Sequence, residues 1–185
     1  MLRASALKQS CNLIVNGNGF KKSIDVLGIF RDTNGAPLTN STTPALTALE
    51  TSSIGIVVAN NATLVGRLIW QVPRDYDQTN DYLRLRFLAS SSGDNNTPAI
   101  DATVYRIRTG AAISSDLDPT ISGSINNDTT DKGWVEINID GKSLQPGDVL
   151  TITVDTAAHA TDNVDVYGAE LVYKSDLVYN VKTDR

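Results

Sequence analysis

From Leu64 onward, apolar residues fall on every second position in one short segment after another, and this alternation constrains the fold more than any other feature. Leu64, Gly66, Leu68, Trp70 and Val72 alternate with other residues, and Leu83, Leu85 and Phe87 alternate with Arg84 and Arg86. Val135, Ile137 and Ile139 alternate with Glu136, Asn138 and Asp140, and Leu150, Ile152 and Val154 with Thr151, Thr153 and Asp155. A period of two puts the apolar set on one face of an extended strand. Residues 100–107 and 164–173 add two further candidates, the second apolar on both faces. Turn-forming groups separate them: Pro73 with the acidic run after it, residues 93–98, Lys132-Gly133, Asp140-Gly141 and Pro146-Gly147-Asp148. No segment has the periodicity of an amphipathic helix. Short strands at regular spacing predict an antiparallel sandwich or barrel, in which two packed sheets bury one face of each strand.

Composition then narrows the chemistry. A chain of 185 residues suits one domain, and about 120 residues suffice for the sandwich. With one His, one Cys, one Met and three Glu, a zinc site, a disulfide framework or a Ser-His or Cys-His relay lacks its parts. No catalytic residues, cofactor or enzymatic activity are expected. The net charge of −5 and a pI near 4.7 argue against nucleic acid as a partner. Neither a secretory leader nor a run of about 18 apolar residues is visible, so no membrane partner is expected. The single thiol, Cys11, suits synthesis in a reducing cytoplasm.

The first third of the chain differs. Strands are conceivable around Ile24 and Val26 and over 54–58, but residues 32–48 between them are polar and rich in Pro and Thr, with a turn signal at Asn34-Gly35. This allows two readings of residues 1–51: an extended N-terminal arm ordered by something outside the chain, or an edge strand and loops on the same sandwich. The organisation expected is an arm over 1–51, a sandwich over 52–175 and a tail over 176–185. Residues 109–130 read as a surface loop.

Several groups qualify as functional. The run Asp75-Tyr-Asp77-Gln-Thr-Asn-Asp81 offers oxygen ligands of the kind calcium takes, but lacks the Gly and distant Glu of an EF-hand loop; the alternative is a turn whose carboxylates cap amides. Glu136 and Glu170 both lie in predicted strands, so a sandwich could bring them together as the two facing carboxylates that glycoside hydrolysis needs; the alternative is that each is solvated on the polar face of its strand. His159 has no nucleophile near it in sequence and is expected to fix its loop. Gly17 and Gly19 lack the Lys-Ser/Thr of a phosphate loop. Arg84, Arg86, Arg106 and Arg108, if side by side, would form a positive stripe facing an acidic partner; cross-strand pairing with Asp101, Glu136 or Asp140 is the alternative. Trp134, on the polar phase of its strand, and the loop residues Tyr76 and Tyr82 are candidates for stacking on a sugar, whereas Trp70 has the phase of the core.

The runs Trp70-Gln-Val-Pro-Arg-Asp-Tyr-Asp77, Leu83-Arg-Leu-Arg-Phe-Leu88, Asn95-Asn-Thr-Pro-Ala-Ile-Asp-Ala102, Leu144-Gln-Pro-Gly-Asp148, Ala158-His-Ala-Thr-Asp162 and Val166-Tyr-Gly-Ala-Glu-Leu-Val-Tyr173 resemble a group of tailed-phage and environmental viral proteins. These are jelly-roll virion proteins of the head-decoration or cement kind, and the similarity spans residues 70–173. The resemblance implies a jelly-roll sandwich, no catalytic residues, the major capsid protein as partner and self-association as a homotrimer. It also implies a place on the outer capsid surface after synthesis in the host cytoplasm. A carbohydrate-binding or receptor-binding module of the same architecture is the alternative.

Overall fold

The computed structural model describes residues 20–50, 53–60, 62–91, 99–125, 131–156 and 162–176. In chain order the strands are β1 (Phe20–Asp25), β2 (Ala45–Leu49), β3 (Ser53–Val58), β4 (Leu64–Gln71), β5 (Leu83–Ser91), β6 (Ile100–Ile107), β7 (Thr120–Ser122), β8 (Gly133–Asn138), β9 (Val149–Thr156) and β10 (Val164–Ser175), with one 3-10 turn at Leu27–Ile29. The large sheet has the order β2-β3-β10-β5-β8-β7, and β1 pairs with β10 as well; the small sheet has the order β4-β9-β6. All pairs are antiparallel.

From β3 to β6 each strand lies in the other sheet from its predecessor, and the same holds from β8 to β10. This alternation gives the two four-strand halves of a jelly roll, β3-β10-β5-β8 facing β4-β9-β6 and one substitute strand. That substitute comes from the expected surface loop. Ser114 N donates to Arg106 O at 3.0 Å and Leu117 N to Val104 O at 2.8 Å. The Asp116 carboxylate and Ser114 hydroxyl accept from the amides of Val104 and Arg106, so side chains complete the edge of β6 where no regular strand forms.

The core lies between the sheets. Leu85, Phe87, Val135, Ile137 and Leu171 face Leu68, Val104, Ile152 and Val154, all fully or almost fully buried. Burial of each such side chain contributes about 1.5–3 kcal/mol, and mostly polar residues hold the opposite phase, with Ile69, Tyr105 and Trp134 as exposed exceptions. Two bulges keep the phase correct. In β10 the register shifts between Val166 and Gly168, so Val164 and Val166 point inward before it and Ala169, Leu171 and Tyr173 after it. In β4 a shift at Gly66 brings Val65 inward instead of Leu64, with Leu68 and Trp70 following.

The arm reading of residues 1–51 does not hold for their described part; residues 1–19, with Cys11, Gly17 and Gly19, lie outside the described residues. β1 pairs with β10 from Phe20↔Ser175 to Asp25↔Glu170. Val26, Phe30, Leu38 and Leu49 are buried, and the Phe30 ring lies 5.8 Å from that of Phe87. Arg31 and Arg67 exchange both backbone hydrogen bonds, at 2.8 and 2.9 Å, which closes the free edge of β4. Gly66, at φ 154°, leaves room for Phe30, whose ring carbon stands 2.8 Å from where a Cβ would sit. The polar stretch is therefore pinned to the sandwich by a few widely spaced apolar anchors.

Candidate functional site

The outer face of the large sheet carries a connected row of charged side chains. The register aligns Asp25, Glu170, Arg86, Glu136 and Ser122 across five strands. Arg86 Nη1 donates to Glu170 Oε1 at 2.7 Å, and its Nε lies 2.8 Å from Glu136 Oε1 as an ion pair. Glu136 also accepts from Arg84 Nη1 at 2.8 Å, and Arg84 reaches Asp140 Oδ2 at 3.2 Å. Burial works against the Arg84 charge, but Glu136 and Asp140 outweigh it and raise its pKa. Glu136 and Glu170 thus share a face, as hydrolysis would require, yet the Arg86 guanidinium fills the space between them where a glycosidic oxygen would have to lie.

Trp134 sits on this face, 44% exposed, with the Arg86 guanidinium carbon 4.5 Å from its ring centroid. Beside it opens a shallow hollow of about 260 Å³ lined by Ser23, Asp25, Trp134, Tyr167, Gly168 and Glu170 among others. Ser23 Oγ donates to Glu170 Oε2, and Tyr167 OH donates to Glu50 Oε1 at 3.0 Å. Lys132 closes that corner, bonded to Glu50 at 2.8 Å and standing over the Tyr167 ring.

The four arginines do not form one stripe. Arg84 and Arg86 face outward on the large sheet, whereas Arg106 lies in the small sheet, opposite Leu150 and in phase with its buried residues. Arg106 Nη1 donates to the carbonyls of Lys142 and Ser143, and Arg108 binds Asp148 through Nε at 2.7 Å and Nη2 at 2.6 Å. Consecutive strands of a jelly roll change sheets, so the arginines on β5 and those on or just after β6 are carried apart. Arg106 and Arg108 instead fasten the turn before β9. Asp148, 2% exposed, also accepts from Gln145 N at 2.8 Å. Burial pushes the Asp148 carboxyl up, but Arg108 and the Gln145 amide outweigh it and hold it below the usual value.

Tyr76 is no stacking platform. It is 1% exposed, and its hydroxyl donates to Asp81 Oδ1 at 2.7 Å; burial, then Asp81, pushes its pKa up. Asp81 also accepts from Ser143 N at 2.6 Å and Leu144 N at 3.3 Å. Asp75 accepts from Ser175 Oγ at 2.7 Å and from Tyr173 OH at 3.3 Å, and pairs with Lys22; Asp77 caps Thr79 and Asn80. Burial, then Asp75, pushes the Tyr173 hydroxyl up to about 12. The acidic run is thus a set of caps whose oxygens already have protein donors, and no group of three or more potential metal ligands gathers among the described residues. Trp70 is buried at 8% exposure, 6.0 Å from the Tyr173 ring. Tyr82 remains on the surface, its ring beneath the cations of Lys21, Arg84 and Lys174. His159 lies outside the described residues.

Capping by Asp81 matches the alternative given for the acidic run, whereas the capping role of Asp148 was not read from the sequence, although Asp148 ends the Pro-Gly-Asp turn that marks such a cap. Lys21 and Lys174 carried no signal at all, since they become neighbours only through the pairing of β1 with β10.

No protein-family model matches the sequence, and no curated protein matches it either. Among solved structures the chain is similar to the carbohydrate-binding module TmCBM61 in complex with β-1,4-galactotriose, at 11% identity and a TM-score of 0.38, over 87% of this chain and 97% of that one. The sandwich assignment rests on the strand pairing given above.

Proposed function

We propose that the chain is a non-catalytic virion protein that decorates a capsid, binding where major capsid subunits meet and stabilising the shell. The outer face of the small sheet supports this reading. Ile69, 67% exposed, aligns with Thr151 and Tyr105 across the three strands, and Ile107 stands in the next row opposite Val149. Exposed apolar side chains interleaved with Thr151 and bordered by Thr103 and Thr153, on the sheet of a jelly roll, are suited to another protein surface. In this reading the chain is a homotrimer at a three-fold junction on the outside of the virion, made in the host cytoplasm, with no contact to nucleic acid or membrane. Mass spectrometry and cryo-microscopy of purified particles test it: many ordered copies on the shell are expected, and particles lacking the chain would refute it.

One observation favours a second reading, a glycan-binding or receptor-binding module. The hollow beside Trp134 joins an exposed indole to Asp25 and Glu170, whose oxygens accept from sugar hydroxyls. Titration with neutral oligosaccharides would then give saturable heat that Trp134→Ala abolishes. A glycan panel with no binder removes this reading.

A further inference from the structure

Lys21 on β1 and Lys174 on β10 are directly opposite in the register. Like charges so placed destabilise a sheet, and their side chains are only about 5 Å apart at Cβ. Both ammonium groups stand over the Tyr82 ring, with Nζ at 4.5 Å and 5.5 Å from its centroid, and the Arg84 guanidinium carbon is 4.7 Å from it. Three cations stand around one aromatic ring. Arg84 has its own carboxylates in Glu136 and Asp140. Among the described residues, none places a carboxylate at ion-pair distance from Lys21 or Lys174, whereas Lys22, pointing to the other side of β1, has Asp75. Attraction to the ring offsets part of the repulsion between the two paired positions.

We infer that Lys21, Lys174 and Tyr82 form a docking site for an acidic segment of a protein partner; identifying that partner as the capsid shell rests on the decoration reading above. Charge complementarity carries the argument. Two ammoniums paired in register, with no carboxylate at ion-pair distance among the described residues, fit one or two Asp or Glu side chains, and an arriving carboxylate offsets their repulsion. The Tyr82 ring within reach of both adds apolar surface to the contact. A polyphosphate backbone is a poorer match, because the cationic patch is only two free charges wide on a chain of net charge −5.

Calorimetric titration of the full chain with hexaglutamate at low salt tests the site. Saturable binding is expected, weakened at least about tenfold in Lys21→Glu/Lys174→Glu and similarly by raised salt, and unchanged in Arg74→Glu, an exposed cation elsewhere. Lys21→Gln/Lys174→Gln guards against misfolding: it relieves the like-charge pair, so it should keep the wild-type melting temperature or exceed it and still lose binding. No binding by the wild-type chain, or equal binding by both double variants, overturns the inference. Binding of heparin without hexaglutamate overturns its protein partner. Particles that hold wild type and both variants at equal occupancy keep the decoration reading and overturn the lysine site. Hexaglutamate binding by a chain absent from particles does the reverse.

Discussion

The two outer faces of the sandwich have been treated in opposite ways. On the large sheet, Arg84 and Arg86 run along the central strand β5 and find Glu136 and Glu170 on the strands beside them and Asp140 in the turn after β8. On the small sheet the corresponding positions hold Thr103, Thr151 and Thr153 with Ile69, Tyr105 and Ile107, and its one acidic cross-strand pair, Asp101 opposite Asp155, is like-charged. The first face answers most of its polar groups from within the chain. The second leaves its apolar groups to something else. Charge neutralisation inside a sheet fixes register and relative strand position, whereas an unneutralised, weakly polar face adds little to folding and is free to serve contact.

Substitutions can break that contrast at graded cost. The largest effect is expected where the loops close the end of the sandwich. Asp148→Ala strands Arg108 and the Gln145 amide and should lower unfolding free energy by about 2–4 kcal/mol in urea denaturation. Because the folded Asp148 pKa lies below its unfolded value, that contribution is present above about pH 4 and is lost as pH falls through the folded value. The difference between wild type and Asp148→Asn should accordingly shrink in acid.

Arg86→Ala comes next, leaving Glu136 and Glu170 without the cation between them. A loss of about 1 kcal/mol is expected, the groups being partly exposed, and a double-mutant cycle with Glu170→Gln should give a coupling of about 0.5–1 kcal/mol. A coupling near zero would mean that the large-sheet network contributes nothing to stability and would dissolve the contrast.

On the small sheet the sign reverses. Burial, then the charge of Asp101, raises the Asp155 pKa, so ionising Asp155 works against folding at neutral pH and the penalty fades as pH drops through the folded value. Asp155→Asn should raise the melting temperature by about 1–2 °C at pH 7 and have no effect near pH 3. The smallest stability change belongs to Ile69→Ser with Tyr105→Ser, within about 0.5 kcal/mol of wild type. The same pair should sharply reduce occupancy on particles; retained occupancy would remove the small sheet from the interface.

Much of this layout could be read from the sequence, and the failures have a common cause. Strands β4, β5, β8 and β9 follow from alternation, β6 and β10 stand out as further candidates, and phase alone puts Trp134 outside and Trp70 inside. What alternation does not encode is which sheet a strand joins, so Arg84 and Arg106 looked like neighbours. Nor does it reach segments held by isolated anchors. Phe-Lys-Lys-Ser-Ile-Asp reads as polar, and Val26, Phe30 and Leu38 are too unevenly spaced to show a period, yet they lie in the core. Tyr76 failed for a related reason: a loop has no phase, and only the return of Asp81 and Leu144 against it makes its burial evident.

The pairing of Phe20 with Ser175 has a kinetic consequence. β1 emerges from the ribosome about 150 residues before its partner strand, and β3 also waits for β10. Until the last strand is synthesised, the large sheet lacks its centre, and β1, β3 and β5 have no common neighbour. Pairings this distant in sequence make for slow closure. The nascent chain therefore spends its synthesis with open strand edges, and the polar, lysine-bearing sequence of β1 that obscured its place in the fold also protects it from premature association during that wait.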